Sequence, residues 1–222
     1  MKFFSRLIRL IHRKINILIS YIYSRFGSDL TYINKYKNYD EYINFQKQKS
    51  TNPNNIDKWM NDESAIKTEG FSEIFNRNHF WLNKKKNAIC LGSRTGQEVK
   101  VLLDKGINAI GVDIVPFPPY TDLGDIHNLK YKSKTFDLIF TNIMDHSINP
   151  EKFCQEMERI AISGAIIIIN LQLWTRGDKY TESIIYDSKS IIDMFKSVDI
   201  KINKKITNVH DSMNWELVLE KL

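Results

Sequence analysis

Ala88-Ile89-Cys90-Leu91-Gly92-Ser93-Arg94-Thr95-Gly96-Gln97-Glu98-Val99, with Asp113 following 17 residues after Gly96, is the stretch that decides the fold. A short apolar run ends in a loop with two glycines. A helical pattern follows, and a second apolar run, Asn108 to Val112, closes on an acid. This is the pattern of the first βαβ unit of a nucleotide-binding α/β domain, with the ligand over the loop and the acid at a ribose.

C-terminal to this unit the pattern keeps alternating. It predicts strand 87–91, helix 98–105, strand 109–112, a Pro-rich loop and a short strand near 121–123. Strand 136–141, helix 150–162, the apolar strand 165–170 and helix 188–196 come next, with Pro150 in a first helical turn and Ser188 as an N-cap. Strand-like runs at 201–209 and 215–220 flank His210-Asp211-Ser212 and close the chain. Such alternation predicts a parallel sheet covered by helices.

N-terminal to it, residues 31–86 read as a helical cap. Tyr32, Tyr36, Tyr39 and Tyr42 suggest a helical stripe running to Gln48. Residues 50–55 form a loop, and a helical pattern covers 56–81 with a break at Gly70. Residues 2–25 read as one basic amphipathic helix, with Phe4, Leu7, Ile8, Ile11, Ile15, Leu18 and Ile22 at three- and four-residue steps. Its longest uncharged run, Ile15 to Ser24, has ten residues, about half of a bilayer span. This helix either lies on an anionic membrane surface or packs on a protein domain. Three segments result: 1–30, 31–86 and 87–222.

The chain has 222 residues and a net charge of +6. Six basic residues within 1–30 face only Asp29, a surplus of five, which leaves the remaining 192 residues at +1. That distribution speaks against a nucleic-acid surface. The two cysteines, Cys90 and Cys154, form no disulfide or zinc pattern. A reducing, cytoplasmic setting is expected, at the inner membrane face if residues 2–25 meet lipid. Cys90, between Ile89 and Leu91, reads as a core residue.

A dinucleotide loop of the form G-x-G-x-x-G started at Gly92 needs glycine at 94 and 97, where the chain has Arg94 and Gln97. An arginine there crowds a pyrophosphate, so the Gly92-x-x-x-Gly96 spacing suits a cofactor without one. The wider chain, over about residues 39–222, resembles the class I S-adenosylmethionine-dependent methyltransferases of the type 11-like group. The resemblance rests on Cys90–Val99, on Gly111-Val112-Asp113-Ile114-Val115-Pro116-Phe117-Pro118-Pro119, on Gly124–Leu129 and on Phe136–Ser147. It implies an α/β, Rossmann-like three-layer sandwich, with a mostly parallel seven-stranded sheet, an antiparallel last strand and N-terminal helices.

It also implies roles. Gly92, Ser93, Arg94, Thr95 and Gly96 line the methionine and ribose part of S-adenosylmethionine. Asp113, beside Ile114, accepts from the ribose hydroxyls. Asp125 accepts from the adenine amino group, Ile126 packs on the ring, and His127 packs beside it. Asn142 faces the methionine end. The structural alternatives are a loop cap for Asp113, a turn acid for Asp125 and a strand-end polar residue for Asn142. The usual acid before the first glycine is Cys90 and the usual middle glycine is Arg94, so Arg94 is expected to reach the cofactor carboxylate instead.

His146 is the candidate general base, with Asp145 to orient or charge-pair it. His210 is placed at the crevice rim. Trp174, Arg176, Lys179 and Tyr180 border the acceptor side, and Gln46, Lys49 and Trp59 are read as part of a lid. No metal pattern is present in the sequence, and the five histidines show no i, i+4 pair. The expected function is methyl transfer to a small molecule, glycan or lipid-linked precursor. The alternatives are an NAD-dependent oxidoreductase and a non-catalytic binding module of the same fold. RNA methylation is disfavoured by the nearly neutral domain.

Overall fold

The computed structural model describes residues 30–207 and 213–222. The helix expected at 2–25 and the rim position of His210 lie outside the described residues. The described elements are β1 (Leu30–Tyr32), α1 (Tyr39–Ser50), α2 (Pro53–Asp57), α3 (Ser64–Arg77) and α4 (His79–Leu82). Then come β2 (Asn87–Leu91), α5 (Gln97–Asp104), β3 (Asn108–Asp113), β4 (Thr121–Leu123), β5 (Phe136–Thr141) and α6 (Pro150–Ile160). The chain ends with β6 (Ala161–Leu171), β7 (Ser183–Ile185), α7 (Ser188–Ile192), β8 (Val198–Lys205) and β9 (Trp215–Lys221).

Among the described residues, seven strands form one sheet in the order β4-β3-β2-β5-β6-β9-β8. β2, β3, β4, β5 and β6 pair in parallel, and β9 runs antiparallel to both β6 and β8. The α/β sandwich with its antiparallel last strand is the expected one. Its cause is visible along β2: Ile89 and Leu91 enter one apolar cluster with Phe153 and Met157, while Ala88 and Cys90 enter another with Phe71, Ile74 and Leu102. A strand buried on both faces needs a helical layer on each. α3 fills the same core as β2, so the segment before the sheet is packed into it.

Several boundaries differ from the expectation. β1 pairs with β7 in a separate two-stranded sheet. The tyrosine stripe becomes a helix only from Tyr39, where the Asn38 side chain caps the Glu41 N–H. Pro53 starts a helix inside the expected loop, since a proline in a first turn loses no intrahelical bond. Gly70 does not break α3. The break is at Lys58–Asp62, a single π-helical turn, which places Trp59 in the interior at 6% exposed. α7 is capped by Asp187, with Ser188 as its first residue. α6 ends at Ile160, where β6 begins directly.

Candidate functional site

The loop after β2 bends sharply. Gly92 and Gly96 take φ of +77° and +75°, and a Cβ at 92 would run into the side chain of Ile143. The Gly92 N–H donates to Val112 O at 2.8 Å, tying the loop to the end of β3. That places Asp113 beside the bend. The Arg94 N–H donates to one Asp113 carboxylate oxygen and the Val115 N–H to the other, each at 3.0 Å. Burial raises the Asp113 carboxyl above its ordinary value, against the pull of these N–H groups and of the Arg94 charge.

Two adjoining hollows open at the carboxyl ends of β2, β3 and β5, where an α/β sheet places its ligands. The larger, about 340 Å³, takes in Gly92, Ser93, Arg94, Thr95, Asn142, Asp145 and His146. The smaller, about 60 Å³, is lined by Asp113, Ile114, Asp125 and Ile126. Gly92, Arg94, Lys49, Ile143 and His146 border both. Gly96 lines neither; it closes the bend against Tyr120.

His127 also lines neither hollow. Its Nε2 meets Ser147 Oγ at 2.7 Å and its Nδ1 meets the Tyr39 hydroxyl at 2.7 Å. The ring expected beside the ligand is thus buried within the protein, 6% exposed. The Tyr39 hydroxyl donates to Asp125, at 2.7 and 2.9 Å from its two oxygens. Helix α1 therefore covers the smaller hollow and occupies its acid. Burial raises Asp125, but the hydrogen bonds from His127 and Tyr39 outweigh it and hold the carboxyl below its ordinary range.

His146 sits in a tight turn after β5, with Nδ1 2.8 Å from Tyr180 O. A carbonyl only accepts, so Nδ1 carries the proton and the Nε2 lone pair is available. Nε2 lies 3.5 Å from Lys49 Nζ, which is ion-paired with Asp178 at 2.5 Å. The orienting partner is thus the Tyr180 carbonyl and not Asp145. Among the described residues, the Asp145 carboxylate takes one long hydrogen bond, from Thr181 Oγ1 at 3.5 Å, and no ion pair.

Arg94 takes φ +42°, an uncommon value for a residue with a Cβ. Its guanidinium stacks 3.8 Å above the Trp59 ring, and its enclosed Nε has no hydrogen-bond partner among the described residues. Glu98, in the first turn of α5, faces the larger hollow at 4% exposed. Burial pushes its carboxyl up to about 8, against the charges of Lys67 and Arg94. Burial, and then Arg94, hold the Lys49 and Lys67 ammoniums below the ordinary lysine value.

Lys67, Glu98, Gln172 and Asp178 were not among the residues singled out in the sequence. Only Glu98 carries a signal there, as an acid in the first turn after the bend. Of the residues read as a lid, Gln46 lines the smaller hollow and its Nε2 donates to Tyr180 O at 2.8 Å and to Glu182 at 2.5 Å, while Trp59 lines neither hollow and lies under Arg94. Tyr180 is buried, whereas Trp174 is half exposed, its indole N–H bonded to Tyr186 O.

Residues 89–169 match the family model described as a methyltransferase domain. A norajmaline N-methyltransferase from Rauvolfia serpentina is 39% identical over 72 residues, 32% of this chain and 25% of that protein's length. Among solved structures, the Burkholderia thailandensis 1,6-didemethyltoxoflavin-N1-methyltransferase superposes with a TM-score of 0.65 at 10% identity, covering 86% of this chain and 94% of that one; it holds S-adenosylhomocysteine. An S-adenosylmethionine-dependent methyltransferase from Archaeoglobus fulgidus gives 0.57 at 12% identity, over 74% and 99%. At these identities the structural likeness concerns the fold.

Proposed function

We propose, from the premise that this chain belongs to the class I S-adenosylmethionine-dependent methyltransferases, that it transfers a methyl group to a small-molecule acceptor in the larger hollow. The cofactor of that family, S-adenosylmethionine, supplies an activated methyl on a sulfonium.

The residues present fit that cofactor. The observation that carries the reading is the bend at Gly92–Gly96 with the Asp113 carboxylate held against it, beside an arginine whose enclosed Nε has no acceptor among the described residues. Asp113 is assigned the ribose hydroxyls and Asp125 the adenine amino group. Arg94 is assigned the carboxylate, with the guanidinium held in place by Trp59. Glu98, which faces the hollow from the helix after the bend, is assigned the ammonium that Cys90, sunk in the core at 0% exposed, does not reach. A 60 Å³ space is too small for an adenosyl group. Entry therefore requires Tyr39 to leave Asp125 and α1 to shift.

At the acceptor, His146 Nε2 is assigned the proton, since its tautomer is fixed by the Tyr180 carbonyl. Lys49 and Gln46 close the site from α1 and exclude water. The size of the hollow favours a compact acceptor, or the terminal group of a glycan or lipid-linked precursor. An oxidoreductase reading is disfavoured by Arg94 in the loop.

Calorimetric titration with S-adenosylhomocysteine tests the assignment. We expect micromolar binding that Asp113→Ala abolishes; unchanged affinity in that variant refutes it. Binding without any turnover on a small-molecule extract would favour a non-catalytic module. No helix among the described residues is long and apolar enough to cross a membrane. A peripheral contact through residues 2–25 is proposed from the sequence alone, and liposome flotation of the full chain against one lacking residues 1–30 tests it.

A further inference from the structure

We propose, resting on the methyl-transfer reading above, that the acceptor is an amine whose nitrogen lies between Asp145 and His146 Nε2. The charges around the larger hollow carry the argument. Lys49 is paired with Asp178 at 2.5 Å and Lys67 with Glu63 at 3.1 Å. Arg94 and Glu98 lie at the cofactor end of the hollow, by the bend. What remains at the acceptor end is Asp145, 4% exposed, whose carboxylate among the described residues takes a single hydrogen bond of 3.5 Å and no ion pair, and feels only the more distant pull of Lys49, which is itself paired with Asp178. A buried carboxylate with so little compensation is costly unless a ligand supplies the donor or the charge.

The chemistry of transfer selects among acceptors. When a neutral amine takes the methyl group, positive charge moves onto nitrogen, and a fixed carboxylate beside that nitrogen lowers the barrier. When an oxyanion takes it, negative charge is lost at that point, and a neighbouring carboxylate instead repels the reacting oxygen. The amine nitrogen forms the new N–C bond as the methyl–sulfur bond breaks and its electron pair stays on sulfur. The N–H proton of the resulting N-methylammonium passes to His146 Nε2, leaving the N-methylamine and an imidazolium. The Tyr180 carbonyl keeps that ring aimed by holding Nδ1–H.

The test incubates the full-length chain with trideuteromethyl S-adenosylmethionine and a small-molecule extract of cells carrying the gene. Fragmentation mass spectrometry then locates the label. We expect it on nitrogen of basic metabolites. Label on oxygen, carbon or sulfur overturns the amine acceptor while leaving methyl transfer intact. Absence of any labelled product overturns both, and S-adenosylhomocysteine affinity, measured in parallel, reports the cofactor site independently. With the labelled amine identified, Asp145→Asn should lower its turnover at least tenfold and leave S-adenosylhomocysteine affinity unchanged; equal turnover overturns the role of Asp145.

Discussion

Removing one oxygen, in Tyr39→Phe, should tighten binding of S-adenosylhomocysteine. The Tyr39 hydroxyl has a single proton, shared between two oxygens of Asp125 at 2.7 and 2.9 Å, and it accepts from His127 Nδ1 at 2.7 Å. This is one charge-assisted hydrogen bond that an adenine amino group must replace. Such bonds contribute about 1.5–3 kcal/mol. Tyr39 is 39% exposed, so water competes and the lower end, about 1.5 kcal/mol, is the fair figure. The wild-type chain must give up that much to reach the binding-competent arrangement, and its apparent affinity falls by the same factor. Phenylalanine retains the ring contact with His127 and removes only the competing donor. Titration calorimetry at constant pH and salt should therefore give a Kd about tenfold lower for the variant. Tyr42→Phe, whose hydroxyl donates to His146 O at 3.0 Å and not to Asp125, is the control and should not tighten binding. An unchanged Kd for Tyr39→Phe would mean that α1 does not guard Asp125. A weaker one would mean that Tyr39 holds the ligand itself.

Arg94→Gly restores the glycine of the usual loop and relieves its positive φ, yet should weaken S-adenosylhomocysteine binding by about tenfold or more, because a charge-assisted pair to a carboxylate is lost; equal or tighter binding refutes that assignment. Glu98 keeps its proton in the folded chain up to about pH 8, while an unfolded glutamate loses it near the ordinary carboxyl value. The folded state thus holds the extra proton across that window, and stability falls as pH rises through it, by up to about 1.4 kcal/mol per unit. Urea unfolding of Glu98→Gln at pH 5, 6.5 and 8 should lack this component, and parallel profiles for the two proteins would refute it. Arg77 grips Glu216, 0% exposed, through Nε at 3.0 Å and Nη2 at 2.7 Å. Arg77→Ala should cost about 3 kcal/mol by taking the cation from that carboxylate and leaving it the Asn170 amide at 3.1 Å, read as a lower urea midpoint; a midpoint equal to wild type would contradict it.

Much of the fold was legible because local patterns carried it. The apolar run 88–91 is compatible with burial on both faces only, and the glycines at 92 and 96 mark a bend that needs positive φ. Helix starts were read less well. Asn38, Pro53 and Asp187 each act through one hydrogen bond or one missing N–H, a small local signal inside a polar stretch. The unbroken α3 through Gly70 reflects packing: Phe71, Ile74 and Phe75 fill the core around it, which outweighs the modest helix cost of one glycine. The turn of the His127 ring toward Tyr39 and Ser147 was not legible, because sequence adjacency to Asp125 says nothing about which way a ring turns.

The amino-acid order by itself determined the doubly covered sheet, the bend at its mouth and the acid at 113, because each depends on periodicity, on glycine's backbone freedom or on a spacing of a few residues. Tertiary structure alone decided the company those residues keep. Lys49 reaches His146 across 97 positions, Tyr39 reaches Asp125 across 86, and Trp59 stacks on Arg94 across 35. The Tyr180 carbonyl, 34 positions away, sets the imidazole tautomer. Charge balance in an enclosed hollow is a property of all the groups around it at once, and those groups become neighbours only when the chain folds.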